Sequence, residues 1–190
     1  MSFFLFFDKK CHFSTYFLDI FKVLAKKNRI LFIWGVIYTM KKLDSYYINR
    51  ATCAIIPIEK DVSQIYEIND SYIVEKSVKK IVEESCRYYG CTYKGRVDGS
   101  KKILNMTYKL PIVIEEFHNL VFFPTSSPRF GSCIWLSLNN IVNYEKILNG
   151  SRIIFQNKRE IVFEISYYSL ENQIFRASLL ESIITRRRNS

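Results

Sequence analysis

The sequence predicts an α+β fold: a strand-rich domain with antiparallel sheets and hairpins, one central amphipathic helix and one C-terminal helix. Three observations carry this. Short apolar runs, each bounded by turn residues, recur from Ala51 to Ile165. Val78, Ile81, Val82, Ser85, Cys86 and Tyr89 repeat instead at helical spacing. Asn149-Gly150, between two apolar runs, is a strong hairpin signal. With 48% hydrophobic and 16% aromatic residues, the 190-residue chain has material for one packed domain.

The first 39 residues differ from the rest. They hold eight of the fifteen Phe and six basic residues against two acidic. Phe13, Tyr16, Phe17, Ile20, Phe21 and Leu24 form one stripe of an amphipathic helix. The apolar run from Ile30 to Tyr38 is too short to span a bilayer, and Asp8, Lys9 and Lys10 interrupt any secretory signal. Basic residues flanking an apolar face suit a membrane surface as well. The simpler expectation is that residues 1–39 are a leader outside the native fold or upstream of the true start, and that the domain spans 40–180.

From Met40 the elements follow in order. Ala51 to Ile58 and Ser71 to Glu75 read as strands. The helix over 78–89 should end at Gly90, which suits the position just past a helix end. Beyond it "CTYKGRVDGS" reads as a glycine-rich loop, since Gly90, Gly95 and Gly99 are half of the chain's six glycines. Strands are expected at Lys102 to Tyr108, Pro111 to Glu115, Leu120 to Phe123 and Cys133 to Leu138, with "FFPTSSPRFGS" looping between the last two. The Asn149-Gly150 hairpin joins Ile141 to Leu148 with Arg152 to Gln156, and a second turn leads into Ile161 to Ile165. Ser169 can cap a helix with Ile174, Ala177 and Leu180 on one stripe, before a short basic tail at 181–190.

Several chemistries fit the residues poorly. Gly90 and Gly95 have P-loop spacing, but Arg96 and Val97 follow where Lys and Ser or Thr are needed. Five cysteines without a CxxC pair suit reduced cytosolic thiols, and His12 and His118 have no ligand partner at metal spacing, so neither metal nor cofactor is expected. Cys86, Cys91 and Cys133 read as small buried hydrophobes, with nothing local tying them to His118 as a nucleophile pair. Glu83-Glu84 and Glu115-Glu116 read as solvated charges.

Binding accounts for more. A formal charge of +10 and a pI near 9.4 favour a polyanion as partner. The stretch "SCRYYGCTYKGRVDGS" sets Arg87, Lys94 and Arg96 among tyrosines and glycines, a mixture that neutralises phosphates and follows a groove. Lys101, Lys102, Arg129 and Arg176 complete the candidate DNA-contacting set. The bland alternative is that Tyr88 and Tyr89 pack in the core and the lysines only solubilise the surface.

In order, "SCRYYGCTYKGR", "LPIVIEE", "FFPT", "IWLSL" and "ISYYSLENQIFRAS" resemble the bacterial competence transcription factor family, ComK, from about Asp44 to about Ser178. The resemblance implies a cytoplasmic, non-enzymatic activator of DNA-uptake genes. It implies recognition of A-rich and T-rich boxes in double-stranded DNA, mainly through the minor groove, by a homo-oligomer. It also implies the MecA/ClpC adaptor-protease system as a partner of a C-terminal tail. Here the sequence ends in "ITRRRNS", so that region is expected to be shortened, and an inactive remnant is the alternative. The segment "IWLSLNNIVNYEK" through "ISYYSLEN" is also similar, more weakly, to the LytTR DNA-binding domain.

Overall fold

A computed structural model describes residues 30–33, 36–39 and 41–190 of the chain. The chain divides into two compact units, residues 1–40 and 41–190. In the first, β1 (Ile30–Ile33) and β2 (Val36–Thr39) pair antiparallel, Ile30 opposite Thr39. The helical stripe expected over Phe13–Leu24 lies outside the described residues.

The second unit is built on a seven-stranded sheet in the order β3-β6-β5-β4-β9-β8-β7. Its strands are β3 (Lys41–Leu43), β4 (Thr52–Glu59), β5 (Val62–Glu67), β6 (Ser71–Val74), β7 (Ile112–Glu115), β8 (Leu120–Pro124) and β9 (Trp135–Ser137). Every pairing is antiparallel except β3 with β6. A second antiparallel sheet holds β10 (Ile141–Ile147), β11 (Gly150–Phe155) and β12 (Glu160–Phe163). The α+β class read from the sequence is what the structure has.

The unbroken apolar runs "PIVIE" and "LVFFP" follow from burial on both faces of the large sheet. Ile112, Ile114 and Phe122 point to one side, where they pack with Ile55, Ile65 and Trp135 under α1 (Val78–Tyr88). Val113, Val121 and Phe123 point to the other, where they meet Ile153 and Phe155 of the small sheet and Leu170, Ala177 and Leu180 of α3 (Tyr167–Arg188). The layers are therefore helix, sheet, and helix with small sheet.

α1 begins at Ser77, whose Oγ accepts from the Lys80 N–H, and ends as expected at Gly90, with φ of 76°. There the Gly90 N–H donates to the Arg87 carbonyl (2.9 Å) and the Cys91 N–H to the Cys86 carbonyl (3.0 Å), a Schellman pair that only a left-handed residue allows. The expected loop after it is a correction. Residues Tyr93–Leu104 form a helix, α2, capped by Thr92, whose Oγ accepts from the Gly95 N–H (3.0 Å), and closed by Asn105 in the left-handed conformation. The strand expected at Lys102 to Tyr108 is thus the end of α2 and the coil after it. α3 starts earlier than expected, because Ser166 and not Ser169 is its cap, and it continues to Arg188. The expected hairpin is present, but its turn residues are Leu148 and Asn149, one position earlier than expected, with Ile147 opposite Gly150 at the start of β11. β5 is an additional strand.

Candidate nucleic-acid interface

α2 has two unlike sides. Tyr93, Val97, Ser100 and Leu104 turn toward the fold, where Val97 touches both apolar layers. Lys94, Asp98, Lys101 and Lys102, spaced i, i+4, i+7 and i+8, share the exposed side with Gly95 and Gly99. A Cβ at Gly99 would meet nothing within 4 Å, so no internal packing requires glycine there. Lys101 and Lys102 lie in the last turn, where cations oppose the helix dipole, but Lys94 lies in the first turn, where a cation is unfavourable. Among the described residues none of the three lysines has an ion-pair partner.

α3 packs beside α2. Arg96, near the start of α2, forms an ion pair with Glu116 in the β7–β8 turn, and Arg188, at the end of α3, donates from Nη1 to the Glu116 carbonyl (2.6 Å). Farther along, Arg176 of α3 lies over the Tyr108 ring, 5.2 Å from its centroid, and donates to the Tyr108 carbonyl (3.4 Å). Arg186 and Arg187 are exposed in the final turn of α3.

The predicted site residues therefore separate. Lys94, Lys101 and Lys102 come together on one face. Arg96, set with them among the candidate DNA contacts, does not join them: its side chain is 13% exposed and paired with Glu116. Arg176 is held by Tyr108. Arg87, exposed in the last turn of α1, donates from Nε to the Glu83 carbonyl (3.4 Å), a helix-end role. Arg129 is exposed on the β8–β9 loop. Arg186, Arg187 and Arg188 were legible only as a basic tail, although their run of three at a helix end was the available signal.

The β7–β8 turn beside Arg96 and Arg188 is tightly braced. The Glu115 carboxylate accepts from the Phe117 N–H, the His118 N–H (3.0 Å) and His118 Nδ1 (2.7 Å). Burial alone would raise the Glu115 carboxyl, but the hydrogen bonds from His118 and Phe117 outweigh it and hold the group below its ordinary range. Asn119, left-handed at φ of 51°, donates from Nδ2 to Thr185 Oγ1 of α3 (3.2 Å).

Cys53, Cys86 and Cys133 are buried and behave as apolar fillers, whereas Cys91, expected to be buried too, is half-buried. Burial pushes the Cys86 thiol up to about 11 and Cys53 to about 12, and raises Cys133, so all three stay protonated at neutral pH. Among the described residues no cluster of His, Cys, Asp or Glu could hold a metal ion, and no helix is long and apolar enough to cross a membrane.

Comparison with known proteins extends these observations. Residues 43–189 match the family described as ComK protein. The chain is 31% identical over 144 residues to the competence transcription factor of Bacillus subtilis (strain 168), a match covering 74% of this chain and 75% of that protein. No solved structure matches the chain. The family match takes in all of the large sheet but Lys41 and Lys42, the α2 lysine face, the braced turn and all of α3, and on that extent the chain belongs to the ComK protein family.

Proposed function

We propose that this protein is a cytoplasmic competence transcription factor that binds double-stranded DNA as a homo-oligomer and activates DNA-uptake genes. It reads A-rich and T-rich boxes mainly through the minor groove. Family membership and the name of its Bacillus relative support the class. The observation that carries the DNA reading is the α2 face: three exposed lysines with no carboxylate partner among the described residues, on a helix whose glycines let a phosphate backbone come close to the main chain. The basic end of α3 adds cations on the neighbouring helix.

The test is a mobility-shift titration of the full chain on duplexes carrying A/T boxes, on G·C-rich duplexes, and on boxes in which inosine·C replaces A·T. The exchange alters the major-groove pattern and keeps the minor-groove one. Tight binding to A/T boxes that survives the exchange is expected. A loss of roughly 1–3 kcal/mol per exchanged contact would mean major-groove reading, and equal affinity for all three duplexes would refute box recognition.

A further inference from the structure

Phe117 stands at the tip of the β7–β8 turn with 82% of its surface exposed. Among the described residues its only ring contact is edge-on to His118, with centroids 4.8 Å apart at 84°. An aromatic ring in that position adds little to the fold, yet the turn under it is held from three sides. Glu115 fixes both the Phe117 and the His118 N–H, Arg96 of α2 pairs with the Glu116 carboxylate, and Arg188 and Thr185 of α3 bind Glu116 and Asn119. A rigidly presented apolar knob loses little freedom on insertion into a partner.

The charge around the knob selects the partner. Arg186 and Arg187 are exposed in the last turn of α3, next to the Arg188 that grips the turn. The turn's two carboxylates are engaged, Glu115 by His118 and Glu116 by Arg96. A second copy would bring the same cationic rim against this one. A stacked pair of bases with a phosphate on either side offers an apolar slot and two anions.

We infer that Phe117 is a wedge that enters between two base pairs of duplex DNA, unstacks that step and bends the duplex, while Arg186 and Arg187 hold flanking phosphates. This rests on the DNA-binding reading and adds to it a residue and a deformation. Side chains such as Phe and Leu inserted from the minor groove bend DNA by about 20–90°. Pyrimidine–purine steps such as TA, natural in A/T boxes, unstack most easily.

The experiment uses the full chain, its Phe117→Ala and Phe117→Leu variants, and a duplex with 2-aminopurine in an A/T box and fluorophores at its ends. Wild-type binding should brighten 2-aminopurine and shorten the end-to-end distance. Phe117→Ala should abolish both and bind roughly 5- to 100-fold more weakly. Phe117→Leu should keep most of the bend. Equal binding and bending by wild type and Phe117→Ala would overturn the wedge, as would wild-type binding without brightening, and both leave the DNA reading standing. Wild type that binds no duplex overturns both inferences. Loss of self-association by Phe117→Ala in DNA-free sedimentation, with bending intact, would assign the ring to a second copy.

Discussion

Lys94 and Arg96 are two residues apart, and the structure sets them in opposite surroundings, Lys94 exposed and Arg96 packed against Glu116. Replacing Lys94, Lys101 and Lys102 together with Ala removes three exposed cations that hold no ion pair among the described residues. Stability should change little: Ala favours the helix, two favourable dipole contacts are lost and one unfavourable one is relieved, leaving Tm within about 4 °C. Binding should change much. Each phosphate contact contributes about 0.9 to the slope of log affinity against log salt, so three contacts make it shallower by up to about 2.7. Carried to 0.1 M salt, that is a loss on the order of 500-fold as an upper limit. Arg96→Ala should do the reverse. Its side chain is 13% exposed and its Glu116 partner 64%, so the pair itself is weakened by solvent, and most of the loss is packing of the stem. A destabilisation of roughly 1–2 kcal/mol lowers Tm by about 2–8 °C and leaves the salt slope nearly unchanged. Fluorescence anisotropy over a salt series, with thermal melts alongside, measures both. A triple variant with wild-type slope would remove α2 from the interface. An Arg96→Ala variant with intact Tm and a slope shallower by a full unit would return Arg96 to the DNA.

Gly99→Ala should stabilise α2 by about 0.8–1 kcal/mol, because its Cβ enters open space, yet weaken DNA binding by blocking close approach; stabilised protein with unchanged affinity would refute the approach. Gly150→Ala should destabilise the chain by at least about 2 kcal/mol in thermal melts, since a Cβ there would lie 2.1 Å from the Phe163 carbonyl oxygen, and an unchanged Tm would refute that packing. Burial raises the Glu181 carboxyl above its ordinary range, against the opposing hydrogen bond from Asn139 Nδ2 (3.1 Å), so its contribution to stability is present below about pH 4.3 and is lost as pH rises through the raised value. Glu181→Gln should therefore raise Tm at neutral pH and flatten its pH dependence between about pH 4.3 and the raised value, and an unaltered profile would refute the assignment.

The parts of this fold legible in the sequence are those whose cause is local. α1 carries its buried residues at helical spacing and its stop signal at Gly90, and the hairpin at Asn149-Gly150 needs only its two flanking runs. β5 was missed because Ser63 and Gln64 interrupt its apolar pattern; both are buried, and Ser63 Oγ donates to the Lys76 carbonyl (2.7 Å) from a distant part of the chain. Arg96 and Arg188 could not be read as partners of one turn, since α2, β7 and α3 meet there only after folding.

α2 was missed for a different reason. Gly95 and Gly99 together weaken a helix by about 2 kcal/mol relative to Ala, and Lys94 sits against the positive end of the dipole. Thr92 at the cap and the burial of Val97 and Leu104 offset this. Gly95 has a local explanation, because a Cβ there would come within 3.1 Å of Thr92 Oγ1. Gly99 and Lys94 have none inside the fold. Both residues lie on the exposed face that also carries Lys101 and Lys102, and local choices that oppose the structure they occupy are expected at functional or strained sites. Gly99 and Lys94, which weaken α2 as a helix, are thus also residues that shape its exposed face.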